Sequence, residues 1–180
     1  SYRMGMSENA KEWIKDILVA VVVSFVILQF IKPTIVREHS MEDTLHENDY
    51  ILLSRQAYSL FGEPATGDII VFRSELKTNA GENKLLVKRV IGVPGDSIAI
   101  QGGAVILNGR ELQEPYVKDG FTASEMEEMI IPEGMLFAMG DNRQNSMDSR
   151  DERVGLVPMD KVVGKAFVRL YPFHQIGKLD

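Results

Sequence analysis

The sequence contains no cysteine, so any covalent chemistry must run through a hydroxyl or a carboxylate. A Ser or Thr hydroxyl is a weak nucleophile until a neighbouring base takes its proton. Three histidines, His39, His46 and His174, could act as that base. His39 immediately precedes Ser40. Adjacent residues on an extended chain point to opposite faces, which makes His39 a poor base for that serine. His46 follows a turn-like segment and His174 lies close after Pro172; histidines so placed are more often surface or packing groups than catalysts. No His-Glu-x-x-His or EF-hand spacing occurs, and cysteine-ligated zinc is excluded. Neither a metal nor a cofactor is expected.

Lysine is the remaining base, and Ser–Lys pairs are a known variant of serine hydrolysis. A free lysine, with a pKa of about 10.4, is charged at neutral pH, and burial among apolar groups lowers that value. The requirement is therefore a lysine inside an apolar strand. Lys88 lies in Lys84-Leu-Leu-Val-Lys-Arg-Val-Ile91. Under a period of two, Leu86, Lys88 and Val90 share one face while Val87, Arg89 and Ile91 share the other. A second reading is open at this point: an edge strand carrying two solvated charges. Ser40 lies in Val36-Arg-Glu-His-Ser-Met-Glu-Asp-Thr-Leu45, where by itself it would pass for a loop or cap serine. The segment Gly140-Asp-Asn-Arg-Gln-Asn-Ser-Met-Asp-Ser-Arg150 packs opposite charges densely. It is either a long turn or, given the internal hydrogen bonds needed to order it, a supporting shell for a site.

Several elements must position these residues. Short Val- and Ile-rich runs recur between Gly, Pro and Asp: 49–53, 68–72, 84–91, 97–100, 104–107, 135–139 and 161–169. They read as strands bounded by turns. Asn108-Gly109 is a two-residue hairpin signal. Residues 77–84 read as an exposed loop, and Phe121 to Met129 as a short acidic helix. Many short strands in a chain of 180 residues predict a mostly β protein with a closed or coiled antiparallel sheet.

Ahead of the strands, Ile14 to Ile31 is interrupted only by Lys15 and Asp16 and is otherwise almost wholly apolar. As a helix it is roughly 27 Å long, enough to cross a bilayer core. A cleaved signal peptide is disfavoured because no small-x-small site follows, and a buried core helix because the run is apolar on all sides. The expected division is residues 1–13 as an N-terminal segment, 14–32 as a transmembrane anchor ended by Pro33, and 33–180 as the folded domain. Met4 and Met6 both suit a start, which leaves the native status of Ser1 to Gly5 open. A net charge of -6 without a basic block argues against a nucleic-acid partner; the oligomeric state is not legible.

These segments together resemble bacterial type I signal peptidases. Ser40-Met-Glu-Asp-Thr-Leu45 is similar to their Ser-Met-x-Pro-Thr-Leu box, and Lys88-Arg-Val-Ile-Gly-Val-Pro-Gly-Asp96 to their lysine box. Gly140 to Arg150 resembles their Gly-Asp-Asn-Arg…Ser…Asp-Ser-Arg box almost letter for letter, and Gly155-Leu-Val-Pro158 with Gly164-Lys-Ala166 their last box. The boxes fall in family order. The resemblance implies Ser40 as nucleophile and Lys88 as general base, with Ser146 holding the lysine amine. It implies Asp141 pairing with Arg89 and Asp148 with Arg150 as charged supports, and one oxyanion donor in the Ser40 N–H. Val36, Met41, Leu86 and Val87 are implied groove residues. It further implies a β domain of coiled antiparallel sheets, preprotein signal peptides cut after small-x-small motifs as substrates, and a single-pass membrane position with the domain on the extracytoplasmic face. Two departures stand out: Asp43 replaces a proline, which predicts a less rigid loop, and Glu38 takes a position where some relatives carry a hydroxyl donor.

Overall fold

The computed structural model describes residues 7–180; the question posed by Ser1 to Gly5 lies outside the described residues. Helix α1 (Glu8–Phe30) opens on Ser7, whose hydroxyl accepts from the Ala10 N–H at 3.2 Å. Glu8 in the first turn suits the positive end of the helix dipole. None of its side chains is buried, and its mean hydropathy of 2.0 and 23-residue length make it long and apolar enough to cross a membrane.

The helix begins six residues earlier than expected and stops at Phe30, short of Pro33. Proline disfavours helical backbone at the residue before it, and Ile31 is already extended. Residues Ile31–Ile35 instead form strand β1, paired antiparallel with β2 (Tyr50–Ser54). Proline is tolerated there because β1 is an outer strand with β2 as its neighbour. The last turn of α1 is tied to the chain after β2. The Arg55 N–H donates to Phe30 O at 2.7 Å and the Arg55 guanidinium to Leu28 O at 3.1 Å, satisfying carbonyls that a helix end leaves unpaired.

The remaining strands are β3 (Ile69–Lys77), β4 (Asn83–Gly92), β5 (Ser97–Gln101), β6 (Ala104–Leu107), β7 (Arg110–Glu111), β8 (Met126–Ile130), β9 (Met135–Met139), β10 (Val157–Pro158), β11 (Val162–Tyr171) and β12 (Gly177–Lys178). All their pairings are antiparallel. The larger sheet runs β1-β2-β11-β3-β4-β9-β10 with β12 added to β11; the smaller runs β7-β6-β5-β8. Register shifts in β3, β4 and β11 bend the larger sheet.

Strand β3 shows how the core is divided. Ile69 and Val71 face one apolar cluster with Val36, Met41, Leu45, Ile51 and Leu53. Ile70 and Phe72, on the other face, join Leu86, Val90, Leu136 and Ala138. A third cluster, with Ile91, Ile98, Ile100 and Phe137, links the two sheets.

Asn108 and Gly109 turn the β6–β7 hairpin with φ of 53° and 80°, the left-handed pair that this turn type requires. The short acidic helix does not form. Its second half is strand β8, with Met129 opposite Ile98 and Met126 opposite Ile100. Pairing places both methionines against the third cluster, a gain that outweighs local helix preference. The exposed loop is shorter than 77–84, because β3 and β4 extend to Lys77 and Asn83.

Candidate active site

Strand β4 is not an edge. It lies between β3 and β9, and both of its charges are buried: Lys88 is 1% exposed and Arg89 2%. The solvated edge-strand reading is therefore wrong. Lys88 stands opposite Ile70. Burial pushes its ammonium down to about 8, while the Asp148 and Glu38 carboxylates pull upward and Lys84 and Arg150 pull downward. Arg89, on the opposite face, is fully engaged. Its Nε and Nη2 grip Asp141 at 2.9 and 2.8 Å, and its Nη1 donates to Gly67 O and Asp180 O, each at 2.9 Å. The guanidinium also lies 3.8 Å from the Tyr116 ring centre.

Ser40 occupies the turn after β1, buried at 7% exposure. The Asn142 N–H donates to Ser40 O at 2.9 Å, and its side-chain amide to His39 O at 3.1 Å. The two carbonyls flanking the Ser40 N–H are thus clamped by one residue. Among the described residues that N–H donates to no group of the chain, leaving it free for an oxyanion. Gly140 makes the close approach feasible: a Cβ there would press into Ser146 Oγ and Ser40 O.

The loop after Ser40 is held in spite of Asp43. Leu45 N–H donates to Met41 O at 2.9 Å, and Thr44 Oγ1 to Asp141 Oδ2 at 2.5 Å. Met41 and Leu45 are sealed in the first core cluster. Anchoring by these side chains stands where a proline would act through the backbone.

Ser146 and Asp148 form the supporting shell. Ser146 Oγ donates to Asp148 Oδ2 at 2.7 Å and accepts from Gly140 N–H at 3.2 Å. Its partners are these groups, and a bond to the Lys88 amine is not formed. Asp148 is also gripped by Arg150 through Nε at 2.8 Å and Nη2 at 2.9 Å. Sequence reasoning missed Asn142 and Arg143. Arg143 is buried and donates to Gly140 O at 2.8 Å and Thr122 Oγ1 at 2.9 Å, with Glu114 completing its shell. Both lie in the dense polar segment, whose spacing was the available signal; Glu114, Thr122 and Tyr116 carried none.

Two cavities meet at Ser40. One, about 410 Å³, is walled by Val36, Met41, Val71, Leu85 and Val87; the other, about 520 Å³, by Leu76, Lys77, Leu86, Asn145 and Met147. Arg37, Glu38, Ser40 and Lys84 border both. Of the four expected groove residues, Val36, Met41 and Val87 share the first cavity and Leu86 lies in the second. His39 and His46 are about half exposed, near Glu42 and Asp43. His174 lies in a short 3₁₀ turn after β11.

The family model described as "Signal peptidase, peptidase S26" matches residues 10–171. Signal peptidase I of Bacillus licheniformis is 34% identical over 179 residues, covering 94% of this chain and 92% of that one. Signal peptidase I S of Bacillus subtilis (strain 168) is 32% identical, covering 99% and 98%. A solved signal peptidase I from Enterococcus faecalis V583 is 29% identical, covering 57% of this chain and 96% of that one with a TM-score of 0.46. With most of its length matched by the family model and by full-length relatives, the chain belongs to the signal peptidase family, peptidase S26.

Proposed function

We propose that this chain is a membrane-anchored serine endopeptidase that removes signal peptides from exported preproteins, with Ser40 as nucleophile and Lys88 as general base. Family membership supports signal-peptide removal by a serine-type peptidase. The observation that carries the finer reading is the burial of Lys88 at 1% exposure in a central strand, with its ammonium pushed down to about 8. An amine in that state is neutral often enough near physiological pH to take a proton.

The chemistry follows from the residues. The substrate lies extended along the first half of β4, Lys84 to Val87, whose second edge β9 leaves unpaired, with small side chains in the cavity formed by Val36, Met41 and Val87. Ser40 Oγ attacks the scissile carbonyl as Lys88 Nζ accepts its proton. The negative oxygen that develops is met by the free Ser40 N–H; one such donor contributes about 100- to 1000-fold in rate. The Lys88 ammonium then protonates the leaving amine. Now neutral, Lys88 accepts a proton from the water that attacks the acyl-enzyme, and returns it to Ser40 Oγ as the acyl–oxygen bond breaks. Ser146, Asp148 and Arg150 hold the charged surroundings of the amine, while Arg89, Asp141 and Asn142 hold the nucleophile turn. The apolar lining of the first cavity supports uncharged side chains there, and the length and apolarity of α1 support the anchor.

The test is cleavage of a preprotein by the full chain in detergent. Ser40→Ala and Lys88→Met should each abolish cleavage while leaving the protein folded, with a cooperative thermal unfolding transition. Full activity of either folded variant would refute the dyad.

A further inference from the structure

Glu38 has no part in the mechanism above. It stands two residues before Ser40 and forms an ion pair with Lys84 of β4. Lys84 is four residues before Lys88 and on the same face of its strand. The pair therefore spans the cleft from the nucleophile segment to the strand of the base. Both side chains are 40% exposed, and both border both cavities. Other charges stand nearby. Lys77 contacts Asn83 and His39 contacts Glu42; Arg37 borders both cavities, and Arg73 and Glu82 the apolar one.

An extended peptide directs successive side chains to opposite faces. If the residue at the cut and the residue two before it enter the apolar cavity, the residue between them projects the other way. The second cavity adjoins the first at Ser40, is bordered by the Glu38–Lys84 pair, and is the space open to that residue. We propose that this ion pair reads the charge of the middle residue of the cleavage motif and holds the groove to an uncharged side chain there. A cation at that position meets Glu38 but also Lys84; an anion meets the reverse. Either must also compete with the existing pair. An amide or hydroxyl accepts from Lys84 and donates to Glu38 without breaking it. The inference rests on the proposed peptidase reading and adds a specificity determinant to it.

The experiment uses the full chain in detergent micelles and three peptides that differ only in a Gln, Glu or Lys at the middle position. The parent should give its highest kcat/KM with Gln. In Glu38→Gln the unpaired Lys84 should raise the Glu-to-Lys preference ratio about five-fold, and Lys84→Gln should lower it about five-fold, the scale expected of partly exposed charges. The swapped double variant, Glu38→Lys with Lys84→Glu, should restore the parent ratio. A ratio within one variant cancels any change in Lys88 itself. If the ratio moves by less than about two-fold in both single variants, or in the same direction in both, the pair does not read charge and the inference fails. If one single variant does not fold, the other and the swap still decide the direction. A parent that cleaves none of the three peptides overturns the peptidase reading instead, and the inference with it.

Discussion

At Lys88 burial has two consequences that can be measured separately. Catalysis needs the neutral amine, so the rate should rise with pH and level off above an apparent value near 8. The unfolded chain keeps the ordinary value of 10.5. Between the two values the unfolded state holds more protons than the folded one, so stability should rise with pH from about 8 to about 10.5. Below that window the folded protein carries a desolvated charge at a cost. Lys88→Met, which fills similar volume, should therefore be inactive yet more stable at pH 7, by roughly 2–3 kcal/mol in denaturant unfolding. Lower stability in that variant would contradict the burial argument. The neighbouring charges make a second prediction. Glu38 holds the Lys88 value up and Lys84 holds it down, beside the opposing pulls of Asp148 and Arg150. With an uncharged substrate, the pH–rate profile of Glu38→Gln should move to lower pH and that of Lys84→Gln to higher pH.

Two elements meet at the nucleophile: the turn after β1 and the polar segment from Gly140 to Arg150. Their junction rests on Gly140, the Asn142 clamp and the Asp141 carboxylate shared by Arg89 and Thr44. Gly140→Ala should displace Ser40 and Ser146 with little loss of fold, since the crowding is local. An ångström-scale shift of reacting groups costs about 100-fold, so kcat should fall by roughly that factor, with circular dichroism unchanged. Asp141→Asn acts differently. It leaves the buried Arg89 without its carboxylate, a loss of roughly 3–5 kcal/mol. Its midpoint of chemical unfolding should drop sharply, and a midpoint like that of the parent would show that Gly67 O, Asp180 O and Tyr116 suffice to hold the guanidinium.

For the whole molecule, α1 and the β domain are joined without a spacer, because Ile31 both ends the helix and begins β1. Arg55 ties the two together, so a helix lying across a bilayer would bring the β domain to one membrane face. If the domain from residue 33 onward faces the extracytoplasmic side, as the family resemblance implies, added protease should reach it in sealed vesicles with that side outward; protection until detergent is added would reverse that expectation. Local patterns were enough to indicate α1, most strands and the Asn108-Gly109 turn, because apolar period and turn chemistry are written in neighbouring residues; Ser40, Lys88 and the Gly140–Arg150 segment took their expected roles from the family resemblance. Local patterns misplaced the start of α1, which the Ser7 cap sets outside the apolar run, and they misplaced its end and made a helix of β8 because those outcomes depend on pairing with other strands. Whether Lys88 and Arg89 were solvated was likewise undecidable locally: alternation assigns each a face, and only what the tertiary structure packs over those faces, including Asp141 and Tyr116 against Arg89, removes both from water. The Asn142–His39 clamp, the Arg143–Glu114 pair and the Glu38–Lys84 bridge join residues from 29 to 103 positions apart, and only the tertiary structure, by folding those separations to contact, decided them.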